Sequence, residues 1–310
     1  MIDHSRKRLF IVGCPRSGTT IFQAVLTTHS QIVSFPETGF VKSLIGLNGL
    51  YQFGTPRTSS RDRLSVYRRR LLLALGIGSL NGRARFQSFL REMGREDLIE
   101  TLPGNARSIA KNIRAFSKIL DCLADERNAP HWIEKTPDHL FYLNWIERYT
   151  DQCKVLHIIR RGEDVISSLY HAAMKYKDEH WHQNYSDVDR CIDRWLIAVR
   201  TSLNYLHHED HYHVLYDQFM SHPEIETRKL CGFIDIEYQA KMVEDPFTVS
   251  NEIVRQKENW KAGLSGREGM KAAPSKFTKV FSNQQQRYIS ERIQSAGMQW
   301  EGLSRQVVNG

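Results

Sequence analysis

The sequence predicts an α/β fold: a single domain with a central parallel sheet flanked by helices, entered through a P-loop-like strand, turn and helix. Three stretches predict it. Leu9-Phe10-Ile11-Val12 runs through Gly13-Cys14-Pro15-Arg16-Ser17-Gly18-Thr19-Thr20 into residues 21–26, where Ile21, Val25 and Leu26 share a helical face. His131-Trp132-Ile133-Glu134 runs through Lys135-Thr136-Pro137 into an apolar periodic segment with Leu140, Leu143, Trp145 and Ile146. Lys154-Val155-Leu156-His157-Ile158-Ile159 runs through Arg160-Arg161-Gly162 into a helix from Glu163. Short apolar runs alternating with helical periods are the pattern of strand–helix–strand units around a parallel sheet.

The first unit reads as an anion cradle. N–H groups at a helix start lack intrahelical acceptors, and the helix dipole adds partial positive charge there. The Gly13-x4-Gly18 spacing matches a nucleotide P-loop, but Thr19 stands where a Walker loop has Lys, and the cation comes earlier, at Arg16. That argues against a Mg-ATP or Mg-GTP hydrolase. Arg16, Ser17, Thr19 and Thr20 suit a single 5′-phosphate-like anion instead; the alternative is a plain glycine turn.

A second strand, Gln31-Ile32-Val33-Ser34-Phe35, ends at Pro36-Glu37-Thr38. In a parallel sheet ligands bind beyond the carboxyl ends of the strands. Glu37 there reads either as a general base for an incoming hydroxyl or as a capping or salt-bridged carboxylate, with Arg16 a possible partner. Residues 40–128 form a helical, Arg-rich insertion with ten arginines between positions 57 and 95, and periodicity places helices at roughly 61–75, 84–100 and 105–127. These charges read as solvated faces, or as an acceptor site or contact with an acidic surface. Residues 71–78 are apolar directly after three arginines, a weak signal for a membrane surface.

Lys135, at the end of the third strand, reads as a cation for a transferring group or as a surface lysine. His139 reads as a second base or a surface or capping residue. Arg160 and Ser168 bring a guanidinium and a hydroxyl near one point, a second phosphate site; the alternative pairs Arg160 with Asp164 and returns Ser168 to its own helix. Two anion sites fit a nucleotide with phosphates at its 5′ and 3′ positions. A fifth strand is expected at Tyr212-His213-Val214-Leu215, with His207, His208, His211 and His213 in a solvated loop rather than a metal site. His222-Pro223-Glu224 opens a helix, residues 262–276 read as a loop or lid, and a last helix spans about 283–297.

These motifs resemble the sulfotransferases that use 3′-phosphoadenosine-5′-phosphosulfate (PAPS). Pro15-Arg16-Ser17-Gly18-Thr19-Thr20 is similar to their 5′-phosphosulfate loop, Arg160 through Ser168 to their 3′-phosphate motif, and Glu134-Lys135-Thr136-Pro137 to the Lys segment of the glycan and bacterial branches. Arg16 and Glu37 resemble the protein-tyrosine branch. The resemblance implies a sulfotransferase fold and transfer of a sulfonyl group from PAPS to an acceptor hydroxyl on a carbohydrate, small natural product or tyrosine, releasing PAP. It implies catalytic roles for Glu37, Arg16 and Lys135. Ser17, Gly18, Thr19 and Thr20 would hold the 5′-phosphate, Arg160 and Ser168 the 3′-phosphate, and Tyr216 would lie near the adenine. Lys257 or Lys261, in a segment like the bacterial C-terminal counterpart, would reach the nucleotide. No metal is implied. Arg161 departs from the family, which often has Asp there.

Other classes stay open: a P-loop phosphotransferase using a nucleoside triphosphate, or a non-catalytic nucleotide-binding protein. The net charge of +8 fits an anionic partner, here an acidic or glycan acceptor, with no nucleic acid expected. Five cysteines without a C-x-x-C pair argue against a disulfide framework or zinc site. Eight residues before the first strand leave no room for a leader, and no apolar run is long enough to span a bilayer. Cytoplasmic localisation is the resulting expectation.

Overall fold

The structure is a computed structural model, described for residues 6–47, 60–179, 182–246 and 275–309. Its five strands are β1 (Arg8–Gly13), β2 (Ile32–Phe35), β3 (His131–Lys135), β4 (Cys153–Ile159) and β5 (His211–Leu215). They form one sheet in the order β2-β3-β1-β4-β5. β2 pairs parallel with β3, Phe35 opposite Glu134, and β4 parallel with β5, Ile159 opposite Leu215. The predicted α/β class with a parallel sheet is what the chain adopts, and strand bounds differ from the predicted ones by one residue.

Two compact units divide the chain. One holds residues 1–10 and 30–154, the other residues 11–29 and 155–310, so β1 contributes to both. In the first unit the helices are α2 (Phe40–Ile45), α3 (Ser60–Ala74), α4 (Leu80–Glu92), α5 (Ile109–Asp125) and α6 (Leu143–Tyr149); the second opens with α1 (Thr19–Thr27). The predicted helix at 84–100 starts and stops earlier. Ser79 caps it, accepting from Asn81 N–H, and the chain turns at Gly94 with φ of 68°, leaving a short 3-10 turn at Glu96–Ile99. The core of this unit is aromatic. Phe35, Phe40, Phe86, Phe89 and Phe116 are all buried, and Phe40 stacks on Phe116 with ring centroids 4.7 Å apart.

The arginines of this insertion are not simply a solvated face. Arg69 donates to the Ile45 and Leu44 carbonyls at 2.6 and 3.0 Å, completing the acceptors left at the end of α2. Arg85 donates to the Thr38 carbonyl at 2.8 Å, and Arg83 to the Pro103 carbonyl. Arg95 pairs with Asp97 and Glu126. Arg57 lies outside the described residues.

The second unit continues with α7 (Gly162–Lys175), α8 (His182–Tyr185), α9 (Val188–Leu203), α10 (Tyr216–Ser221), α11 (Pro223–Ile234), α12 (Lys241–Glu244), α13 (Phe277–Val280), α14 (Asn283–Ser295) and α15 (Trp300–Asn309). Pro223 takes the first turn of α11, as predicted. α14 starts with a full capping box, Ser282 and Gln285 bonding each other's backbone. α15 was not predicted.

Of the four histidines expected in a solvated loop, His207 and His208 are exposed as expected, whereas His211 and His213 are packed. His211 and His213 lie on β5, whose alternation turns them toward neighbours rather than water. The His157 ring, fully buried on β4, bonds His211 Nδ1 at 2.9 Å and Ser202 Oγ at 3.1 Å, and stacks on His213 at 4.3 Å. Tyr205 stacks on His211 at 4.5 Å. Burial pushes His157 well below its ordinary value, helped by the charges of His213, His211 and His208. Burial likewise pushes His213 down to about 4.

A histidine held neutral in the fold takes up its proton only when the chain unfolds. Stability is therefore complete above the unfolded pKa near 6.5 and is lost as pH falls toward the folded values. Each such histidine contributes a slope of about 1.4 kcal/mol per pH unit in that window. Urea unfolding at pH 7 and pH 5 should show a lower midpoint at pH 5, and His213→Phe should flatten the difference. Equal slopes in the two proteins would remove the cluster as the cause.

Candidate active site

In the second unit the site is built on the β1–α1 turn. Gly13 ends β1 where a Cβ would stand 2.6 Å from the Ile158 carbonyl oxygen, so only glycine lets the backbone approach β4 there. Ser17 N–H closes the turn on the Cys14 carbonyl at 3.1 Å. Gly18 caps α1 with φ of 98°, and a Cβ on it would strike the Tyr216 ring at 2.3 Å. Tyr216 therefore packs directly against the turn. Ser17 and Thr19 are buried, Thr20 is half-buried, and the first turn of α1 carries no acidic residue. Arg16 is the strained member: it holds φ of 74° without being glycine, a conformation that costs of order 1–3 kcal/mol.

That strain aims the Arg16 side chain. Its Nε donates to Ser168 Oγ at 3.2 Å. Ser168 lies in α7, which begins just after Arg160 and Arg161. The Arg160 guanidinium covers the Tyr216 ring, 4.4 Å from its centroid. Arg16, Ser17, Gly18, Thr19, Thr20, Arg160, Ser168 and Tyr216 thus belong to one unit and one constellation. The Arg160–Asp164 pair also exists, Nη2 to Oδ2 at 3.4 Å, and Ser168 bonds Arg16.

Arg160 Nε is buried with no hydrogen-bond partner among the described residues. Arg16 lies below its ordinary value chiefly through burial; Tyr176 opposes this and the Arg160 charge adds to it. Burial first, then Arg16, Lys175 and Arg160, lower Lys276. His171 is lowered by burial, Lys276, Lys175 and Arg16. Two lowered cations with further cations beside them, and an orphaned guanidinium N–H, suit a polyvalent anion. Lys175, Lys276 and His171 were missed in the sequence. The signal for Lys276 was its place in a Gly/Lys/Ser-rich stretch that reads as loop. Lys257 and Lys261 lie outside the described residues. Arg161 donates to Asp217 at 2.8 Å and covers the Trp300 ring.

In the first unit, Glu37 follows β2 and Lys135 closes β3. Lys135 Nζ donates to Glu37 Oε1 at 2.6 Å. Lys135 is not a surface lysine: its side chain is 2% exposed, against 25% for Glu37. Behind this pair stands Glu134, fully buried. Its Oε1 accepts from Thr38 Oγ1 and Thr136 Oγ1 at 2.6 Å each and from Thr38 N–H at 3.2 Å. Its Oε2 meets His139 Nδ1 at 2.8 Å. His139 is thus buried against a carboxylate, neither at the surface nor a cap. Burial pushes the Glu134 carboxyl up. The His139 charge and the hydrogen bonds from His139, Thr136 and Thr38 pull it further down, leaving it below the ordinary value.

A parallel sheet flanked by helices, entered through a glycine-bounded turn and with a second basic strand–helix junction, places the chain among P-loop-like α/β proteins. The sequence profile of the sulfotransferase family matches residues 8–240, and the chain belongs to that family. It is 20% identical over 250 residues to protein-tyrosine sulfotransferase A of Caenorhabditis elegans, covering 79% of this chain and 54% of that protein. An uncharacterized protein of Aquifex aeolicus is 21% identical over 245 residues, 77% of this chain and 27% of that protein. The chain therefore spans about half of one of these relatives and about a quarter of the other. Among solved structures, the sulfotransferase domain of the Synechococcus PCC 7002 olefin synthase superposes with a TM-score of 0.53 at 13% identity, covering 93% of this chain and 94% of that one. Mouse sulfotransferase SULT7A1 complexed with PAP gives 0.52 at 12% identity, covering 98% and 89%. At these identities the likeness is one of fold.

Proposed function

We propose that the chain is a PAPS-dependent sulfotransferase, moving a sulfonyl group from the nucleotide to an acceptor hydroxyl and releasing PAP. The observation that carries this reading is the Arg16–Ser168 hydrogen bond, which ties the β1–α1 anion turn to the basic junction before α7. A nucleotide phosphorylated at both 5′ and 3′ positions requires two such devices in one place. A nucleoside triphosphate requires a lysine after the second glycine of the turn, where this chain has Thr19. The residues fit PAPS: the orphaned Arg160 Nε, the lowered cations Arg16 and Lys276, and the neighbouring charge of Lys175 supply donors and charge for it.

When bound, PAPS supplies an activated sulfonyl group on a phosphate leaving group. Ser17, Gly18, Thr19 and Thr20 hold the 5′-phosphate, with the start of α1 contributing backbone donors and its dipole. Arg16 neutralises charge at the sulfonyl and 5′-phosphate. Arg160 and Ser168 hold the 3′-phosphate, and Tyr216 lines the adenine. Glu37 takes the proton of the acceptor hydroxyl. Lys135 fixes that carboxylate through the 2.6 Å contact and adds positive charge. The acceptor is a carbohydrate, small natural product or tyrosine hydroxyl; the name of the C. elegans relative puts tyrosine peptides among the first to try. All five cysteines are free thiols, which supports a reducing, cytoplasmic setting.

The test is thermal unfolding with PAP beside Mg-ATP and Mg-GTP. At a hundredfold excess over Kd a ligand of the folded state stabilises it by about 2.7 kcal/mol. PAP should raise Tm, and Arg160→Ala and Ser168→Ala should each abolish most of the shift. Lys276→Ala should weaken it, because one of the facing cations is gone. A shift with Mg-ATP and none with PAP would assign the chain to the phosphotransferases.

A further inference from the structure

The insertion carries an apolar stripe that the nucleotide site does not use. On α3 and the residue just past it, Leu64, Tyr67, Leu71 and Leu75 are 71%, 61%, 52% and 74% exposed. At 3.6 residues per turn these four fall within about 80° of one side of the helix, over a length of about 16 Å. The Leu75 N–H still bonds the Leu71 carbonyl at 3.2 Å, so the helical path reaches the end of the stripe. The opposite side is the anchored one. Leu73 is buried there, and Arg69 donates to the Ile45 and Leu44 carbonyls. Internal contacts thus hold α3 by one face and leave the leucines outward.

Charge decides what meets them. Arg68 and Arg70 are exposed and fall on either edge of the stripe by the same helical period. Residues 63–91 carry seven arginines and no Asp or Glu. A second copy docking through this face would bring the arginine borders against their own kind. An anionic partner has no such conflict. A narrow leucine stripe on a convex helix, edged with arginines whose stems can lie along it while their heads reach outward, suits a lipid interface better than a pocketed protein surface.

We propose that α3 docks the protein on an anionic membrane surface, the leucine stripe entering the headgroup–acyl boundary and the arginines pairing with lipid phosphates. The proposal stands independently of the sulfotransferase reading. It is tested on the full chain by co-sedimentation with phosphatidylcholine vesicles and with vesicles containing one-third phosphatidylglycerol. Binding should favour the anionic vesicles by about tenfold or more at low salt and fall at high salt. Leu71→Glu combined with Leu75→Glu should abolish it, and Arg68→Glu should weaken it about fivefold. These side chains are exposed, so circular dichroism and Tm should be unchanged. Should the double variant unfold, Leu64→Ser with Tyr67→Ser serves in its place. No binding, equal binding to neutral vesicles, or wild-type binding by folded stripe variants would overturn the proposal. So would equal capture by soluble polyglutamate, which would point to an acidic protein. A concentration-dependent dimer in light scattering, lost in the stripe variants without any vesicle binding, would instead make this a self-association face.

Discussion

Glu37→Gln is expected to lower kcat for the proposed sulfonyl transfer by about 10²–10⁴ while leaving the expected PAP-induced Tm shift at its wild-type size. The amide keeps the size of the side chain and can still accept the Lys135 hydrogen bond, now 2.6 Å long, so the arrangement around it survives. What it cannot do is take a proton from an attacking hydroxyl. PAP release in the presence of phenolic, glycan and tyrosine-peptide acceptors measures the rate. Nucleotide binding is read separately, so loss of turnover cannot be mistaken for loss of donor. Turnover within a few fold of wild type would remove Glu37 from the base role and leave it an ion-pair partner of Lys135.

Glu134→Ala produces the second large effect, through positioning rather than contact with substrate. Its carboxylate gathers Thr38 and Thr136, the residues directly after Glu37 and Lys135, and balances buried His139. Removing it leaves two hydroxyls and an imidazole without their buried acceptor, at a cost of about 3–5 kcal/mol and a Tm drop of about 10 °C. Glu134→Gln is the discriminating variant. It retains an acceptor for the threonines but loses the charge facing His139. A purely structural Glu134 predicts that kcat in Glu134→Gln follows wild type once the protein is folded. A positioning Glu134 predicts a lower kcat at unchanged acceptor KM and unchanged PAP binding.

The parts of this fold that the sequence announced are those whose cause is local. Leu9-Phe10-Ile11-Val12 and Lys154-Val155-Leu156-His157-Ile158-Ile159 are β-rich runs that need burial, and Gly18 is needed wherever a chain turns into a helix at positive φ. Their strands and turns fell within a residue of expectation. The turn motif was legible for the same reason: its chemistry sits in eight consecutive residues. The missing parts are long-range. Nothing near Glu134 indicates that its acceptors will be filled by Thr38, 96 residues away. Nor does the neighbourhood of Arg16 announce Ser168, 152 residues on. His211 and His213 read as loop histidines because polarity was taken for exposure, whereas a strand bearing ring partners on its neighbours buries them. The insertion's arginines misled in the same way. Arg69 holds carbonyls at the end of α2, and Arg83 and Arg85 hold loop carbonyls, a use that leaves no trace in charge patterning.

The gathering of Arg16, Arg160, Lys175 and Lys276 has a cost that falls on the empty protein. Arg16 and Lys276, both lowered by burial and by the charges beside them, are cations the folded chain would sooner not carry, so the unliganded state is less stable than a relative with one of these two neutralised. Selection for robustness and selection for nucleotide affinity therefore pull on the same side chains in opposite directions. A variant chosen only for heat resistance would be expected to lose its cations here first, and with them the proposed grip on the nucleotide.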